Sequence, residues 1–281
     1  MQGIRRGVAL GSTLFLLGAV GAATAAAERP ATTPGLPVQL ALGDSWPAGA
    51  GAVPREVEGY VPQLHEALLD RYDCLPARSN RAKSGCRHLQ LVNMAVGGAT
   101  TPTLIQNQLP QATDLLRSRN GDANPRNDVE LATVHIGGND VTNPIIASCL
   151  TGITPSCLAT IQAEFAAYQA DLEVALSALR DAAGDETVIV IGTYDNPIGS
   201  CQLAAVPGAV QLGALVLEGG GPVPMGLHDI IRAVAATHDV TVAEVFGQLG
   251  PQDWVGGADC LHPNNSGYDR VTEAFLVALG V

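Results

Sequence analysis

The sequence predicts an α/β fold of the three-layer α/β/α type, in which a central, mostly parallel five-stranded sheet lies between two layers of helices. Short apolar runs recur along the chain, and longer segments with helical periodicity separate them. This alternation favours parallel strands joined by helical crossovers. A chain of 281 residues is long enough for one such domain with a substantial core.

Five short runs rich in apolar and β-branched residues predict the strands. Each has the length of a strand and is apolar enough to be buried on both faces of a sheet. They cover residues 38–42, 89–94, 131–136, 188–192 and 240–245.

The segments between these runs predict helices. In the longest, residues 158–183, apolar side chains recur three or four positions apart, which is the spacing of one helix face. They are Ile161, Phe165, Tyr168, Leu172, Leu176 and Leu179. Further helices are predicted over residues 60–72, 103–118, 230–236 and 268–279.

Polar segments follow the first three predicted strands. Ser45 follows the first strand, residues 93–101 follow the second, and residues 137–140 follow the third. In parallel sheets the loops at the carboxyl ends of the strands meet at one edge and carry the functional residues. We therefore expect these three segments to lie close together.

The N-terminus has the pattern of an export signal. Arg5 and Arg6 precede an uncharged stretch, residues 7–27, that ends in three alanines. We predict a signal peptide over residues 1–27, a flexible tail over 28–37 and a single folded domain over 38–281. The alternative is an uncleaved membrane anchor, because the uncharged stretch is nearly long enough to span a bilayer. We expect a secreted, extracellular protein.

Net charge narrows the range of partners. The formal charge of −12 opposes binding to nucleic acid and to anionic membrane surfaces. We expect a monomer that acts on a neutral or cationic substrate, with no nucleic-acid partner and no stable membrane insertion after the signal is removed.

The cysteine content predicts disulfides. An even number of cysteines in an exported chain favours bridges, and the sequence has no Cys-x-x-Cys pair to suggest a zinc site. Several pairings are possible, and we predict the local scheme, 74 with 86, 149 with 157, and 201 with 260. The six residues are Cys74, Cys86, Cys149, Cys157, Cys201 and Cys260.

A candidate nucleophile, Ser45, lies in the sequence Gly43-Asp44-Ser45-Trp46. A serine on the turn that leaves a strand is exposed, and backbone N–H groups flank it. Taken alone, the motif is equally compatible with helix capping. The sequence lacks a Gly-x-Ser-x-Gly elbow, which argues against an α/β-hydrolase.

The remaining candidates supply what a serine nucleophile requires. His262 can act as the general base, and Asp259 can orient its ring. The backbone N–H groups of Ser45 and Gly98 and the side-chain amide of Asn139 can stabilise an oxyanion. Considered singly, Gly98 and Asn139 would be turn residues and His262 a surface histidine.

Four blocks of the sequence, in this order, resemble the GDSL or SGNH hydrolase family. They cover residues 43–45, 93–100, 137–140 and 259–262. The resemblance implies a flavodoxin-like sheet and hydrolysis of esters by a catalytic serine, without a metal or a cofactor.

Two positions qualify this resemblance. Trp46 stands where the family commonly has Leu or Tyr. In some relatives of this family a backbone carbonyl, instead of a carboxylate, orients the histidine, which is the alternative to the role given to Asp259. Asp44 and Asp140 are interpreted as groups that fix loops by accepting backbone N–H bonds, and His135 as structural.

The substrate prediction depends on the resemblance and on one segment. Residues 201–227 are rich in Gly, Pro and aliphatic residues, and could form an apolar wall or cover beside the site or, equally, a buried helix. The chain resembles in particular exported bacterial lipases and esterases with three disulfides, which implies fatty-acyl or other carboxylic esters. The alternatives are a carbohydrate esterase that removes acetyl groups from a polysaccharide and a non-catalytic binding module.

Overall fold

The computed structural model describes residues 35–71, 89–149 and 152–281. The predicted signal peptide, most of the predicted tail, and the predicted pair Cys74 and Cys86 lie outside the described residues.

The central sheet has five parallel strands in the order β2-β1-β3-β4-β5. This is the flavodoxin-like order, and it confirms the predicted architecture. The central strands β1 and β3 are almost wholly buried, whereas β2 and β5 are only partly buried because each has a neighbour on one side alone. The strands are β1 (Val38–Gly43), β2 (Gln90–Asn93), β3 (Val129–His135), β4 (Val188–Gly192) and β5 (Thr241–Ala243).

Helices cover both faces of the sheet. Contacts between helices form two groups, α2 with the C-terminal α9, and α6 with both α4 and α8. Right-handed crossovers between parallel strands would place these two groups on opposite faces. A π-helical turn (Leu104–Gln108) joins α3 to α4. The helices are α1 (Arg55–Glu58), α2 (Tyr60–Arg71), α3 (Thr101–Thr103), α4 (Leu109–Asn120), α5 (Gly138–Cys149), α6 (Pro155–Ala183), α7 (Ala209–Glu218), α8 (Leu227–Thr237) and α9 (Asn265–Leu279).

The long helix α6 confirms the periodicity argument, because all six apolar side chains that defined its predicted face are buried. Its N-terminus is capped by Thr154, whose hydroxyl accepts the Cys157 N–H at 3.2 Å. Among the described residues, no helix is long and apolar enough to cross a membrane.

Two elements differ from the sequence prediction. The segment with Asp259 and His262 lies outside the five predicted strands, but it forms strand β7 (Asp259–Pro263), which pairs with β6 (Trp254–Gly256) in an antiparallel hairpin. Gly138 and Asn139, expected in a turn, begin helix α5.

Two predicted disulfides are confirmed. Cys149 and Cys157 close the connection between α5 and α6, and Cys201 and Cys260 tie the loop after β4 to the β6–β7 hairpin. Because Cys260 is the residue next to Asp259, the second bridge ties the segment of Asp259 directly to the loop that follows β4.

Candidate active site

Ser45 lies on a turn that starts at the carboxyl end of β1. Gly43 has φ of 135°, and a Cβ atom there would overlap the carbonyl oxygen of His135, so only glycine fits. The side chain of Gln108 fixes this turn, accepting the Gly43 N–H at 2.9 Å and donating to the Gly43 carbonyl at 2.8 Å. The serine is thus held at the sheet edge by buried contacts.

The structure brings Ser45, His262 and Asp259 into direct contact, although Ser45 and His262 are 217 positions apart. The Ser45 Oγ atom is 2.9 Å from His262 Nε2. On the other side of the ring, Nδ1 is 2.9 Å from Asp259 Oδ2 and 3.1 Å from Oδ1. A hydroxyl, an imidazole and a carboxylate are therefore aligned in the order that nucleophilic catalysis requires.

Asp259 is held as an anion. Partial burial raises its pKa, but hydrogen bonds from the His262 ring and from the backbone N–H groups of Leu261 and His262 outweigh this and lower the pKa below its usual value. An ionised carboxylate at Nδ1 favours the tautomer that carries its proton there. Nε2 is then free to accept the Ser45 hydroxyl proton.

The other two predicted residues lie on neighbouring segments. Gly98 lies on the turn after β2 with φ of 79° and is exposed. The Asn139 side chain, at the start of α5, donates from Nδ2 to the Ala99 carbonyl at 2.9 Å, which couples this turn to the helix. Asp140 strengthens this connection, because its carboxylate accepts the Thr101 N–H at 2.9 and 3.0 Å.

An apolar cleft opens beside Ser45 and Asn139 and runs between α5 and α7. Residues 201–227 contribute to its wall, as one interpretation of this segment predicted. The segment also contains helix α7, but this is not a buried helix, because its buried residues are only Val216 and Leu217. The apolar side chains along the cleft include Val141, Ile145, Ile146, Leu203, Leu212, Val216, Leu217 and Leu227.

The hairpin that carries His262 is attached to the nucleophile turn by Trp46. The indole N–H donates to the Leu261 carbonyl at 3.0 Å, and the ring contacts Trp254 on β6 with centroids 5.9 Å apart. Trp46 also lines the cleft. The unusual residue at this position thus joins the two halves of the site.

Tyr194, which sequence reasoning missed, lies directly below the nucleophile turn. Its hydroxyl donates to Asp44 Oδ2 at 2.5 Å. Asp44 also accepts the Trp46 N–H, which confirms its predicted loop-fixing contact. No motif marks Tyr194, since it follows β4 in an ordinary loop.

His135 lies at the end of β3, wholly buried under the same turn. Burial lowers its pKa to about 3, so the ring is neutral at physiological pH. Its Nε2 atom is 3.0 Å from the Thr193 carbonyl, and its ring contacts Trp46 and Tyr194. Among the described residues, no cluster of three or more His, Cys, Asp or Glu residues could hold a metal ion.

The fold is shared with solved structures of low sequence identity. An extracellular lipase from Streptomyces rimosus aligns with a TM-score of 0.55 at 19% identity, over 87% of this chain and 98% of that one. A lipase from a goat rumen metagenome gives 0.54 at 16% identity, over 86% and 97%. An acetylxylan esterase from Geobacillus stearothermophilus gives 0.50 at 16% identity, over 87% and 94%.

The sequence itself supplies the assignment to a family. A comparison with curated proteins finds no significant match. Residues 41–270, which include every site residue described above, match the model of the GDSL-like lipase/acylhydrolase family. The chain belongs to the GDSL-like lipase/acylhydrolase family.

Proposed function

We propose that this protein is a secreted serine ester hydrolase, of the lipase or esterase type, that acts through a covalent acyl-enzyme. The observation that carries the proposal is the contact series from Ser45 Oγ to His262 Nε2 and from His262 Nδ1 to Asp259, with 2.9 Å at each step. Family membership supports the same class of reaction.

The three residues of this contact series have different roles in the proposed mechanism. Ser45 Oγ attacks the acyl carbon of the ester while His262 Nε2 takes its proton, and Asp259 stabilises the imidazolium that forms. The imidazolium then protonates the departing alkoxide, which leaves as the alcohol. Water, deprotonated by His262, attacks the acyl-enzyme and releases the carboxylic acid and the free serine.

The oxyanion formed in both halves of the reaction requires fixed donors. We assign this role to the backbone N–H groups of Ser45 and Gly98 and to the Nδ2 group of Asn139. Asn139 donates one of its two amide hydrogens to the Ala99 carbonyl, which fixes the side chain and leaves the other hydrogen for the oxyanion. No cofactor is needed for this chemistry.

The apolar cleft supports an acyl chain as the recognised part of the substrate. Its walls are mainly aliphatic, and the lining residues Ile145 and Leu227 are buried. A hydrocarbon chain bound in the cleft would therefore be removed from contact with water, which favours binding. An acetyl group would leave most of this surface unused. We therefore favour fatty-acyl esters over acetylated polysaccharide, which is the second candidate.

Export and a monomeric state belong to the same proposal. The bridges Cys149–Cys157 and Cys201–Cys260 suit an oxidising compartment. The charge of −12 favours an uncharged substrate over nucleic acid. We propose residues 1–27 as the signal peptide, 28–37 as a tail and 38–281 as the catalytic domain.

The test compares wild-type protein with Ser45→Ala, and uses Ser118→Ala, an exposed serine on α4, as the matched control. Wild type and Ser118→Ala should react with a fluorophosphonate and hydrolyse p-nitrophenyl octanoate faster than the acetate, whereas Ser45→Ala should do neither. Labelling of Ser45→Ala, or no labelling of the oxidised wild type, would contradict the proposal. A preference for acetate would favour the polysaccharide esterase.

A further inference from the structure

A buried carboxylate, Asp44, lies directly beneath the nucleophile and takes no part in the contact series of the triad. It is 1% exposed. Its Oδ1 atom accepts the Trp46 N–H at 2.9 Å, and its Oδ2 atom accepts the Tyr194 hydroxyl at 2.5 Å. One carboxylate therefore fixes both the residue after Ser45 and a side chain from the loop that follows β4.

Tyr194 extends this connection to the oxyanion side of the site. Its ring packs against Gly138, the residue before Asn139. Gly138 packs closely here, because a Cβ atom at that position would lie 3.2 Å from the Tyr194 ring and 3.6 Å from Asp44 Oδ2. A continuous path thus runs from the Trp46 N–H through Asp44 and Tyr194 to the start of α5.

We propose that Asp44 and Tyr194 are positioning residues that hold the nucleophile turn and the start of α5, where Asn139 lies, in one fixed relation. The inference rests on the proposed function, because it concerns the alignment of Ser45 with the donors of the oxyanion hole. Such alignment matters because a displacement of about 1 Å can cost about 100-fold in rate.

The ionised form of Asp44 makes this connection. A carboxylate accepts from both the Trp46 N–H and the Tyr194 hydroxyl. If Oδ2 is protonated, it becomes a donor, and the hydrogen bond with the Tyr194 hydroxyl can only persist with its direction reversed. The hydrogen bonding along the positioning path therefore changes when Asp44 loses its charge.

The surroundings of Asp44 make that charge costly. Burial raises the pKa of Asp44 to about 7, although the hydrogen bonds from Tyr194 and Trp46 oppose the rise. Asp140 adds a second negative charge, and the His135 ring is neutral because burial lowers its pKa. The other titratable groups around the carboxylate are tyrosines whose pKa values are raised by burial: Tyr60, Tyr168, Tyr194 and Tyr268.

The raised pKa gives the pair a diagnostic signature. A carboxyl group whose pKa is higher in the folded state contributes stability below its unfolded pKa of 3.8, and this contribution is lost as the pH rises through about 7. Asp44→Asn removes the costly charge at pH 8 but replaces one of the two acceptor oxygens by an NH₂ donor, so that one amide oxygen alone remains to accept from the Trp46 N–H and the Tyr194 hydroxyl. The variant should keep or raise its Tm at pH 8 while kcat falls.

The experiment uses the oxidised full-length protein and the variants Asp44→Asn, Tyr194→Phe and the double variant. Each single variant should lower kcat on p-nitrophenyl octanoate by about 10- to 100-fold with little change in KM, and the double variant should lose no more than the worse single one. The matched control is Tyr60→Phe, a buried tyrosine of the same aromatic cluster whose hydroxyl has no hydrogen-bond partner among the described residues. Its kcat should stay within twofold of wild type.

A second measurement is independent of activity. In ¹H–¹⁵N spectra, the Trp46 N–H, the Gly138 N–H and the Asn139 amide should shift together with one midpoint as Asp44 titrates. All three shifts should disappear in Asp44→Asn, whereas in Tyr194→Phe the Trp46 N–H should still titrate with Asp44 and the shift of the Asn139 amide should be lost. Separate midpoints, or a common midpoint that survives in Asp44→Asn, would overturn the inference even in an active enzyme.

The kinetic outcomes separate this inference from the proposed function. Wild-type kcat in Asp44→Asn and Tyr194→Phe, with Ser45→Ala inactive, would overturn the positioning role alone. If both variants lose kcat and also show a lowered Tm at pH 8, the pair is merely structural, and this result would overturn the inference as well. An inactive wild type would contradict the proposed function, and the common titration would then decide the inference by itself.

Discussion

The two halves of the candidate site are held in different ways. On the sheet edge, Ser45 follows a fully buried strand, and the Gly43 beside it is fixed by two hydrogen bonds from Gln108. On the β6–β7 hairpin, the His262 side chain is 20% exposed and that of Asp259 is 32% exposed. The candidate nucleophile is thus itself half-buried but anchored to the core, whereas the candidate base lies on a small peripheral element.

Because of this difference, substitutions at the sheet edge should affect the stability of the fold, whereas substitutions in the hairpin should affect the alignment of the catalytic groups. Changes at the sheet edge disturb buried contacts of the whole domain, as Gly43 illustrates, because any larger residue there would overlap the His135 carbonyl. The hairpin is tied to the rest of the site by the Trp46 indole and the Cys201–Cys260 bridge. Changes in the hairpin should therefore impair the base while the domain remains folded.

Among substitutions in the hairpin, removal of the proposed base His262 should give the largest fall in kcat. We expect His262→Ala to lower kcat by about 10⁴- to 10⁶-fold, since the serine then has no proton acceptor. Its Tm should change by no more than a few degrees, because the side chain is partly exposed. The matched control is His238→Ala. This histidine pairs with Glu173 and is not one of the site residues, so the variant should keep full activity. A kcat within tenfold of wild type for His262→Ala would refute the assignment of the base.

Removal of the proposed oxyanion donor Asn139 should give the next largest fall in kcat. Asn139→Ala should reduce kcat by about 100- to 1,000-fold with a small change in KM, because the lost donor acts mainly on the transition state. Loss of its bond to the Ala99 carbonyl should also lower the Tm, unlike the change at His262. Asn107→Ala, at an exposed position of the π-helical turn, is the control. An unchanged kcat would exclude the side-chain amide from the oxyanion hole.

The two bridges allow the hairpin to be tested as an element. Chain-entropy arguments give about 4 kcal/mol for the Cys201–Cys260 bridge, which spans 59 residues, and about 2.5 kcal/mol for Cys149–Cys157, which spans 8. Replacing both cysteines of the longer bridge by serine should also lower kcat/KM by about tenfold, since the base loses a tie beside it.

The control for this comparison is the matching double serine variant of Cys149 and Cys157. It should lower the free energy of unfolding in urea without lowering kcat/KM, because that bridge lies between α5 and α6. If both double variants lose activity in equal proportion, the hairpin has no special dependence on its bridge.

The sheet and the motif residues could be predicted from the sequence for physical reasons. Parallel strands buried on two faces leave continuous apolar runs, and their order along the chain limits the topology to few choices. The same topology predicts that Ser45 and the start of α5 meet at one edge. His262 was identified by its pairing with Asp259 three residues earlier, since two polar residues at that spacing suit a base and its orienting acid.

The remaining features depend on tertiary contacts that leave little trace in local sequence. Strand β6 has only three residues, Trp254–Gly256, and its pairing with β7 is set by packing against the domain. Tyr194 has no motif, and its role becomes visible only when β4 places its hydroxyl beside Asp44, 150 positions earlier. Short antiparallel elements and buried polar pairs are thus the parts of this site that sequence patterns do not specify.

Loss of the hydrogen bond from the Trp46 indole to the Leu261 carbonyl should give the smallest fall in kcat. It also tests most directly whether the sheet edge positions the hairpin. Trp46→Phe keeps an aromatic ring in the cluster with His135 and Tyr194 but loses the indole N–H that donates to the Leu261 carbonyl. We expect kcat to fall by about three- to tenfold, because one hydrogen bond is worth about 1 kcal/mol and only alignment of the base is affected. Combined with the serine substitutions at Cys201 and Cys260, the loss should exceed the product of the separate losses, since each tie limits the drift left by the other. Strictly multiplicative losses would mean that the hairpin is held rigid by its own packing, and the contrast with the sheet edge would then lie in exposure alone.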